Sequence, residues 1–300
     1  MISVIIPTHK RADLLFYELE RIYRQKNVDI EVVVVNDIEE DDETDRITEL
    51  FPTVIYIKSS KIQGPSEKHK KGFSITSGEY VYMPDDDDYL IDDYFFEKAE
   101  KIFESDNSIA LVSGNVNIRY EGENSVEIEK IHQSLNLSGR INGFEYLQNF
   151  QHEFTKPAST VSTIFRRSSL DVNMVEMSDS SIYMEALFNG NAFIIDDIVA
   201  NYRVRAIKGK SLTSSASLNF ILNVLKQKEQ FYFRAIGKIP YPKDFWSYQY
   251  SVTYGLFAQK PECNKEKIDL LVWGFKHSHG SIKLNVFLIK QILKLIFFKL

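Results

Sequence analysis

The sequence has little of what marks disulfide-stabilised, membrane-spanning or exported proteins. Its 300 residues contain one cysteine, Cys263, which excludes an intramolecular disulfide and fits a reducing compartment. No apolar run approaches the roughly 20 residues that span a bilayer. The N-terminus carries neither a basic segment nor a signal-peptide cleavage pattern. We therefore expect a cytoplasmic protein.

Basic residues are also scarce relative to acidic ones. The chain has 36 Lys and Arg against 42 Asp and Glu, a net charge of −6, whereas proteins that bind phosphate backbones present a basic surface. We therefore expect no nucleic-acid partner. Aromatic residues, by contrast, are abundant: the 21 Phe and 16 Tyr fit a well-filled core and stacking surfaces for flat ligands.

The first ninety residues alternate between short apolar runs and stretches with helical spacing. Four of the runs are typical of buried strands: 2–6, 31–35, 54–57 and 80–83. The alternation predicts a doubly wound, mostly parallel α/β sheet, in which ligands bind at the carboxyl ends of the strands. Polar residues follow three of these ends, at Pro7-Thr8, Asn36-Asp37 and Asp85–Asp88. From about Ser214 the pattern becomes helical and aromatic-rich, which predicts a separate appendage.

The acidic run Asp85–Asp88 follows the fourth strand with only Pro84 between them. Four adjacent carboxylates repel one another, and a hard divalent cation with oxygen ligands would compensate them. Mg²⁺ or Mn²⁺ typically shares its shell between one or two carboxylates and substrate phosphates. A solvated acidic turn is the other interpretation, but the position at the end of a buried strand favours the metal site.

Four segments resemble the family 2 glycosyltransferases of the GT-A fold. They occur in the order typical of that family, and the resemblance extends over residues 1–212. The segments are Ser3–Thr8 with Arg11, Val33–Asp37, Gly64–Ser66 with Gly72, and Gly78–Asp88. The resemblance implies a GT-A domain at 1–212, with a nucleotide-binding half at 1–100 and an acceptor half at 101–212. Residues 213–300 would form the helical C-terminal region. It also implies an inverting enzyme that moves a sugar from a UDP-sugar to an acceptor hydroxyl, in the synthesis of a surface polysaccharide, glycolipid or glycoprotein glycan.

The resemblance assigns roles to the strand-end residues. Asp37 would accept a hydrogen bond from the uracil-type base, Asp85 would lie near the ribose, and Asp87 would ligate Mn²⁺ or Mg²⁺. Asp37 could instead cap the following helix, and Asp88 could either brace the loop or touch substrate. The expected nucleotide-binding set is Pro7, Thr8, Arg11, Asp37, Gly64, Lys68, His69, Asp85 and Asp86.

The general base of the family belongs to an acidic pair at the start of a helix that ends in glycine. Counting back from Gly190, Asp179 falls on the position of the base, while Ser178 stands where the family usually has Glu. Asp179 would accept the proton of the acceptor hydroxyl. It could also be an N-cap, and Glu185 is the reserve candidate.

Two other segments depart from the family pattern. The family usually has Ala-Arg-Asn in the donor segment, whereas this chain has Lys68 and His69 there. Because the positive charge is kept, we expect these residues to contact the diphosphate. Arg205 replaces a histidine that can join the metal shell, and arginine can grip phosphate but cannot ligate a metal. We therefore expect a metal held by Asp87, the donor phosphates and water. The remaining histidines, His132, His152, His277 and His279, show no ligand spacing and are interpreted as surface or packing residues.

The C-terminal segment 281–300 combines 13 large apolar side chains with lysines and no acidic residue. As a helix it would place Lys283, Lys290 and Lys294 near one face, as in helices that lie in the membrane interface. Packing on the protein or on a second subunit is the alternative. Contact with lipid would favour a lipid-linked acceptor, besides a glycan or protein-linked one.

Two rival functions stay open. A sugar nucleotidyltransferase would share the layered sheet and metal carboxylate, but its usual glycine-rich loop is missing from Pro7–Arg11. A catalytically impaired nucleotide-sugar-binding or assembly module would explain Ser178 and the altered donor segment.

Overall fold

A computed structural model of the chain describes residues 1–37, 43–59, 64–122, 126–171, 173, 178–205, 217–258 and 264–297. The side chains of Arg205 and Asn264 lie outside the described residues, as does the expected domain boundary at 212. The chain forms two compact units. Unit 1 contains Met1–Gly143 and Thr155–Ala206, and unit 2 contains Phe144–Phe154 and Ile207–Leu300.

The first half of unit 1 is the predicted parallel sheet with its helices. In chain order its elements are β1 (Ile2–Thr8), α1 (Ala12–Ile22), β2 (Ile30–Asp37), α2 (Thr44–Glu49), β3 (Val54–Ser59), α3 (Pro65–Ile75) and β4 (Tyr80–Tyr82). The strands lie in the order β3-β2-β1-β4 and all their pairs are parallel. Strands β1 and β4 are buried throughout, and β2 is buried from Val32 onward. This burial explains why they read as continuous apolar runs.

The second half of unit 1 continues the same sheet. Its elements are β5 (Tyr89–Leu90), α4 (Phe95–Ser105), β6 (Ile109–Glu121), β7 (Glu127–Gln133), β8 (Gly139–Ile141), β9 (Thr163–Arg166), α6 (Asp179–Asn189) and β10 (Asn191–Arg205), with α5 (Gly143–Asn149) at the junction of the units. The sheet runs on as β4-β9-β6-β10-β5, in which β9 is antiparallel to both neighbours and β6 is parallel to β10. Helices flank this mostly parallel sheet, so the predicted α/β architecture is confirmed.

Strands β6 and β10 are long, with 13 and 15 residues. Both continue through polar positions whose side chains are hydrogen-bonded inside the sheet. Asn117 Nδ2 donates to Asn201 Oδ1 at 3.0 Å, and Asn115 Nδ2 donates to the Asp196 carbonyl at 2.7 Å. Because these buried amides have partners, the polar residues do not end the strands.

Helix α3 approaches β1 closely at Gly72. A Cβ atom at Gly72 would lie 2.3 Å from Ile5 Cγ2, which no packed structure accommodates without a shift. The absence of a side chain therefore sets the distance between α3 and the sheet. It also brings the first turn of α3 to the carboxyl end of β1.

Unit 2 contains the helices α7 (Leu218–Ala235), α8 (Pro242–Ala258), α9 (Asn264–Lys276) and α10 (Ile282–Phe297). Its core is aromatic, with Phe231, Phe245, Trp246 and Tyr250 buried. The buried polar atoms of these rings are satisfied: for example, the Tyr250 hydroxyl donates to the Leu270 carbonyl at 2.6 Å. The appended helices expected from the sequence are confirmed.

Helix α10 has one buried face and one apolar exposed face. Leu284 and Leu288 are fully buried within unit 2. The exposed stripe contains Ile282, Val286, Ile289, Leu293, Ile296 and Phe297. Residues 298–300 of the predicted helix lie outside the described part of the chain. No helix within the described ranges has the length and apolar character that crossing a membrane requires.

Candidate active site

The predicted polar strand ends lie side by side in unit 1. Thr8, at the end of β1, pairs with Asn36 of β2, and the next residue, Asp37, ends that strand. The acidic run follows β4, which is the other neighbour of β1. Parallel pairing thus brings three segments that are distant in sequence to one edge of the sheet, as expected for a ligand site in this architecture.

Asp86 connects the acidic run to the β1–α1 loop. Its side chain is buried and accepts hydrogen bonds from Thr8 Oγ1 at 2.7 Å and Arg11 Nη1 at 2.8 Å. The same guanidinium nitrogen donates to Asp87 Oδ2 at 2.9 Å. Thr8 and Arg11 therefore hold the loop that carries the acidic run, and Arg11 offsets part of its negative charge.

Asp85, Asp87 and Asp88 form an oxygen cluster, since each offers a carboxylate oxygen within 4.8 Å of the other two. Asp88 is fixed in place by Ser159 Oγ at 2.7 Å and by the backbone N–H of Arg203 at 2.8 Å. Burial raises the pKa of Asp85 and of Asp88 well above its usual range, and neighbouring carboxylates raise it further. Three converging oxygen donors with surplus negative charge fit a hard cation such as Mg²⁺ or Mn²⁺.

Asp37 is buried at the end of β2 against Lys68 of α3. The Lys68 ammonium lies 2.8 Å from Asp37 Oδ2 and donates to the Thr8 carbonyl at 2.7 Å. Both side chains are almost completely enclosed, so each charge depends on the other. The alternative that Asp37 caps α2 is wrong, because Glu43 is the N-cap of that helix. The ammonium of Lys68, expected to contact a diphosphate, is instead directed at Asp37 and Thr8.

The start of α3 brings a second polar group to the site. Gly64 is the N-cap of α3 with φ +78°, a conformation that glycine adopts at little cost. His69 lies in the following turn, and its Nε2 is buried without a hydrogen-bond partner among the described residues. Burial lowers the pKa of His69 to about 4, against the opposing effect of Asp179, while Lys68 lowers it further. The imidazole is therefore neutral at pH 7.

Asp179 is the first residue of α6, and Ser178 is the N-cap. The alternative that Asp179 is the N-cap is therefore wrong. Its side chain is 48% exposed, with Lys156 Nζ 3.7 Å from its carboxylate. The Asp179 charge raises the pKa of Asp85 and opposes the lowering at His69. Asp179 thus lies within electrostatic reach of both the acidic run and α3.

The reserve candidate, Glu185, is enclosed in the fold. It is 2% exposed and accepts a hydrogen bond from Asn189 Nδ2 at 2.9 Å on the same helix. A carboxylate that takes a proton from an acceptor must be reachable by that acceptor. Exposure therefore favours Asp179 over Glu185.

Two other expected residues have limited roles in the described structure. Pro7 is buried within β1. In the loop after β1, His9 has its Nδ1 4.0 Å from Asp37 Oδ2. The side chain of Arg205 lies outside the described residues, so the structure does not place the phosphate contact expected from it.

Glu18 of α1 is a buried acid beside the site that we did not predict. It is completely buried, and burial raises its pKa well above the usual range, helped by the charges of Asp88 and Asp86. Burial therefore favours the neutral form of its carboxyl group. The signal was available in the sequence, because position 18 lies four residues from both Leu14 and Ile22, on the apolar face of α1.

A cavity of about 350 Å³ lies beside the acidic run, between α1 and the ends of β5, β6 and β10. Three arginines surround the ring of Tyr89, with guanidinium-to-centroid distances of 6.0 Å for Arg21, 5.7 Å for Arg119 and 5.0 Å for Arg203. Glu121 lies 3.6 Å from Arg203, and Arg119 is paired with Glu127 outside the cavity lining. Arg21 has no carboxylate partner among the described residues, so the cavity offers a cation to a ligand.

Comparison with known sequences identifies the family of the chain. The family model described as Glycosyl transferase family 2 matches residues 3–172, more than half of the chain. A GalNAc(5)-diNAcBac-PP-undecaprenol beta-1,3-glucosyltransferase of Campylobacter jejuni is 26% identical over 226 residues, covering 73% of this chain and 69% of that protein. Glycosyltransferase GlyA of Streptococcus pneumoniae is 32% identical over 113 residues, covering 37% of this chain and 16% of that protein.

Solved structures share the fold at low sequence identity. S. aureus TarS in complex with UDP-GlcNAc has a TM-score of 0.65 at 16% identity, covering 90% of this chain and 79% of TarS. The mannosyltransferase PcManGT from Pyrobaculum calidifontis, in complex with GDP-Man and Mn²⁺, has a TM-score of 0.50 at 17% identity, covering 98% of this chain and 80% of that one. The chain belongs to the family 2 glycosyltransferases, and its α/β unit has the fold of GT-A enzymes.

Proposed function

We propose that the protein is an inverting glycosyltransferase that uses a UDP-sugar and a divalent cation. The observation that carries the proposal is the convergence of Asp85, Asp87 and Asp88 beside the ends of β1 and β2. Such a cluster needs a counter-charge, and a divalent cation shared with the phosphates of a nucleotide diphosphate would supply it. The UDP-GlcNAc complex of TarS, which shares the fold, supports UDP as the nucleotide.

Asp87 is the proposed protein ligand of Mn²⁺ or Mg²⁺, with the donor phosphates and water completing the shell. When bound, the cation neutralises the charge that develops on the diphosphate as its bond to the sugar breaks. Arg11 holds Asp87 in position from the β1–α1 loop. Asp37 would accept a hydrogen bond from uracil, with Lys68 as the ion-pair partner of the buried carboxylate.

Asp179 is the proposed general base. The acceptor hydroxyl oxygen forms a bond to the anomeric carbon while the bond from that carbon to the diphosphate oxygen breaks. UDP leaves with the electron pair, and the hydroxyl proton passes to Asp179. Because this is a single displacement from the face opposite the leaving group, the anomeric configuration inverts, as in inverting glycosidases where water is the nucleophile.

The cavity around Tyr89 supports an acceptor that carries an anionic group. Arg21 and Arg203 present guanidinium groups there, and guanidinium binds phosphate through paired hydrogen bonds. The Campylobacter relative acts on an undecaprenol-diphosphate-linked glycan, as its name states. A lipid-diphosphate-linked glycan is accordingly the proposed acceptor, in the synthesis of a surface polysaccharide or a related glycan.

The exposed stripe of α10 supports contact with an apolar surface. A lipid-linked acceptor would favour the inner face of the membrane as that surface, and a second subunit is the alternative. Flotation with anionic and neutral liposomes, together with the mass in solution, distinguishes them. Binding only to anionic vesicles by a monomer supports the membrane, whereas a dimer that ignores vesicles supports self-association.

A panel of nucleotide sugars tests the donor assignment. We expect a UDP-sugar with Mn²⁺ to raise the melting temperature, because a ligand that binds the native state stabilises it. GDP- and CMP-sugars at the same concentration are the matched controls. No shift with any UDP-sugar, with or without Mn²⁺, would contradict the proposal.

A further inference from the structure

The helical unit contains a second cluster of metal-ligating side chains, Glu229 with His277 and His279. Glu229 lies on α7, and both histidines lie in the connection between α9 and α10. The sequence-based interpretation of these histidines as surface or packing residues is incomplete. One ligand atom from each of the three residues lies within 4.8 Å of the other two.

The distances within this cluster are short. His277 Nδ1 lies 2.8 Å from Glu229 Oε1, and His279 Nε2 lies 2.6 Å from the same oxygen. Ligands at about 2.0–2.2 Å from a tetrahedral zinc ion are separated by somewhat more than 3 Å. Insertion of an ion would therefore require each nitrogen–oxygen distance to lengthen by roughly 0.6 to 0.8 Å.

Aromatic packing fixes the orientation of both imidazoles. His277 stacks on Trp273 with ring centroids 4.0 Å apart, and its carbonyl accepts a hydrogen bond from Trp246 Nε1 at 2.7 Å. His279 stacks on Tyr232 at 4.7 Å. Rings held in this way lose little conformational freedom when a ligand binds, which is the preorganisation that metal sites need.

The backbone at His279 is also unusual. Its φ is +49°, in the left-handed region that non-glycine residues adopt at a cost, and Gly280 follows at φ +71°. This turn allows two histidines separated by one residue to face the same carboxylate. Strained backbone of this kind clusters at ligand sites. The backbone conformation of His279 is therefore a second observation that points to a ligand, in addition to the side-chain distances.

We infer that Glu229, His277 and His279 bind a zinc-class cation, with water as the fourth ligand. Two imidazoles and one carboxylate are a ligand set that zinc accepts, with an open position for water. Mg²⁺ and Ca²⁺ prefer all-oxygen sites, so the chemistry differs from that of the acidic run. The ion would join α7 to the α9–α10 connection and stabilise unit 2.

The alternative is a hydrogen-bonded cluster without metal. One carboxylate oxygen can accept a proton from each neutral imidazole, which satisfies the three side chains within the protein. The two states differ in a measurable way, because tetrahedral Co²⁺ with nitrogen ligands has intense visible absorption bands. Octahedral Co²⁺ with oxygen ligands, as at the acidic run, absorbs weakly.

The test is a Co²⁺ titration of the untagged full-length protein after chelation. We expect one equivalent of tetrahedral Co²⁺ per chain, displaced by Zn²⁺ but not by Mg²⁺. The His279→Gln and Glu229→Gln variants should each weaken Co²⁺ binding by more than about 100-fold, because loss of even an outer-shell partner typically costs 10–100-fold. His132→Gln, at an exposed position of β7, is the matched control.

Far-UV circular dichroism and thermal unfolding of the same samples show whether the variants are folded, and binding of UDP with Mn²⁺ is measured separately as the test of the proposed function. A folded wild-type protein that gives no tetrahedral spectrum, or bands that persist unchanged in both variants, would overturn the zinc site. In either case the hydrogen-bonded cluster is the correct description. Failure of UDP to bind would leave the Co²⁺ result unaffected.

Discussion

The two clusters of metal-ligating side chains found among the described residues differ in how their charge is balanced. In unit 1, Asp85, Asp87 and Asp88 gather negative charge at a strand end, where Arg11 is an adjacent cation. In unit 2, Glu229 faces two imidazoles that can each donate a proton to it. The oxygen cluster is therefore costly without a bound cation, whereas the histidine cluster is satisfied with or without one.

The balance of charge determines what each cluster contributes. Surplus charge at the oxygen cluster is an unfavourable feature of the free protein that the proposed cation would relieve on binding. The balanced cluster in unit 2 joins helices and offers no surplus charge to a substrate. Changes in unit 1 should therefore alter transfer, and changes at the histidine cluster should alter stability.

Among the substitutions proposed, Asp179→Asn should reduce the rate of transfer most strongly. We expect kcat to fall by roughly 10²–10⁴-fold, the range typical for loss of a general base, while donor binding changes less than about twofold, since the amide keeps the shape of the side chain. Steady-state transfer and calorimetric titration with the UDP-sugar measure the two quantities. Glu20→Gln, on the exposed side of α1, is the matched control.

Two outcomes at Asp179 would change the interpretation. Unchanged kcat would remove Asp179 from the role of base. A wild-type protein that binds donor and yet transfers no faster than this variant would instead favour the catalytically impaired binding module.

The oxygen cluster itself is tested by Asp87→Asn. We expect kcat/KM at fixed Mn²⁺ to fall by about 10³-fold, because a bound cation supplies several kcal/mol of stabilisation to the developing charge. The Mn²⁺ concentration that gives the half-maximal rate should be higher in the same variant. A rate that stays high in the presence of chelator, in the wild-type protein, would contradict metal-dependent transfer.

The sequence predicted the oxygen cluster because its residues follow strands directly. A buried parallel strand is a continuous apolar run, so the polar residue after it marks the sheet edge without further information. Asn36-Asp37 and Asp85–Asp88 were located in this way, and the resemblance to the family assigned roles to Asp37 and Asp87 within them. The partners of these residues were harder to predict. Lys68 was expected to contact phosphate, but its ammonium pairs with Asp37 from helix α3.

The histidine cluster could not be predicted because its residues are distant in sequence. Glu229 and His277 are 48 positions apart, and only the packing of α7 against the α9–α10 connection brings them together. Neither histidine lies in a regular spacing with the glutamate. Glu18, by contrast, was missed although the helical periodicity of α1 places it on the buried face.

The burial of His69 gives a third prediction, which concerns how the free energy of unfolding depends on pH. The folded-state pKa of His69 is about 4, below its value of about 6.5 when exposed, so the unfolded chain binds more protons between these values. The stability contributed by neutral His69 is full above pH 6.5 and is lost as the pH falls toward 4. The difference between the two pKa values of His69 corresponds to a free energy of unfolding of up to about 3 kcal/mol.

Chemical denaturation of the wild-type protein and His69→Gln across this pH range measures the effect. We expect the free energy of unfolding of the variant to fall less steeply between pH 6.5 and 4, since glutamine does not titrate. His132→Gln should reproduce the wild-type slope. Parallel slopes for wild type and His69→Gln would mean that His69 is protonated freely in the folded protein.

The smallest effect is expected at the cavity around Tyr89, and it tests whether unit 1 also binds the acceptor. Arg21→Ala removes a guanidinium that has no carboxylate partner among the described residues, so its loss leaves no buried acid unpaired. We expect the KM for an acceptor with a diphosphate group to rise about tenfold, corresponding to roughly 1.4 kcal/mol. An otherwise identical acceptor without the diphosphate should be unaffected. Arg24→Ala, at an exposed position of unit 1 paired only with Glu20, is the control. Equal KM changes for both acceptors would assign Arg21 to the fold of α1 instead of to acceptor binding.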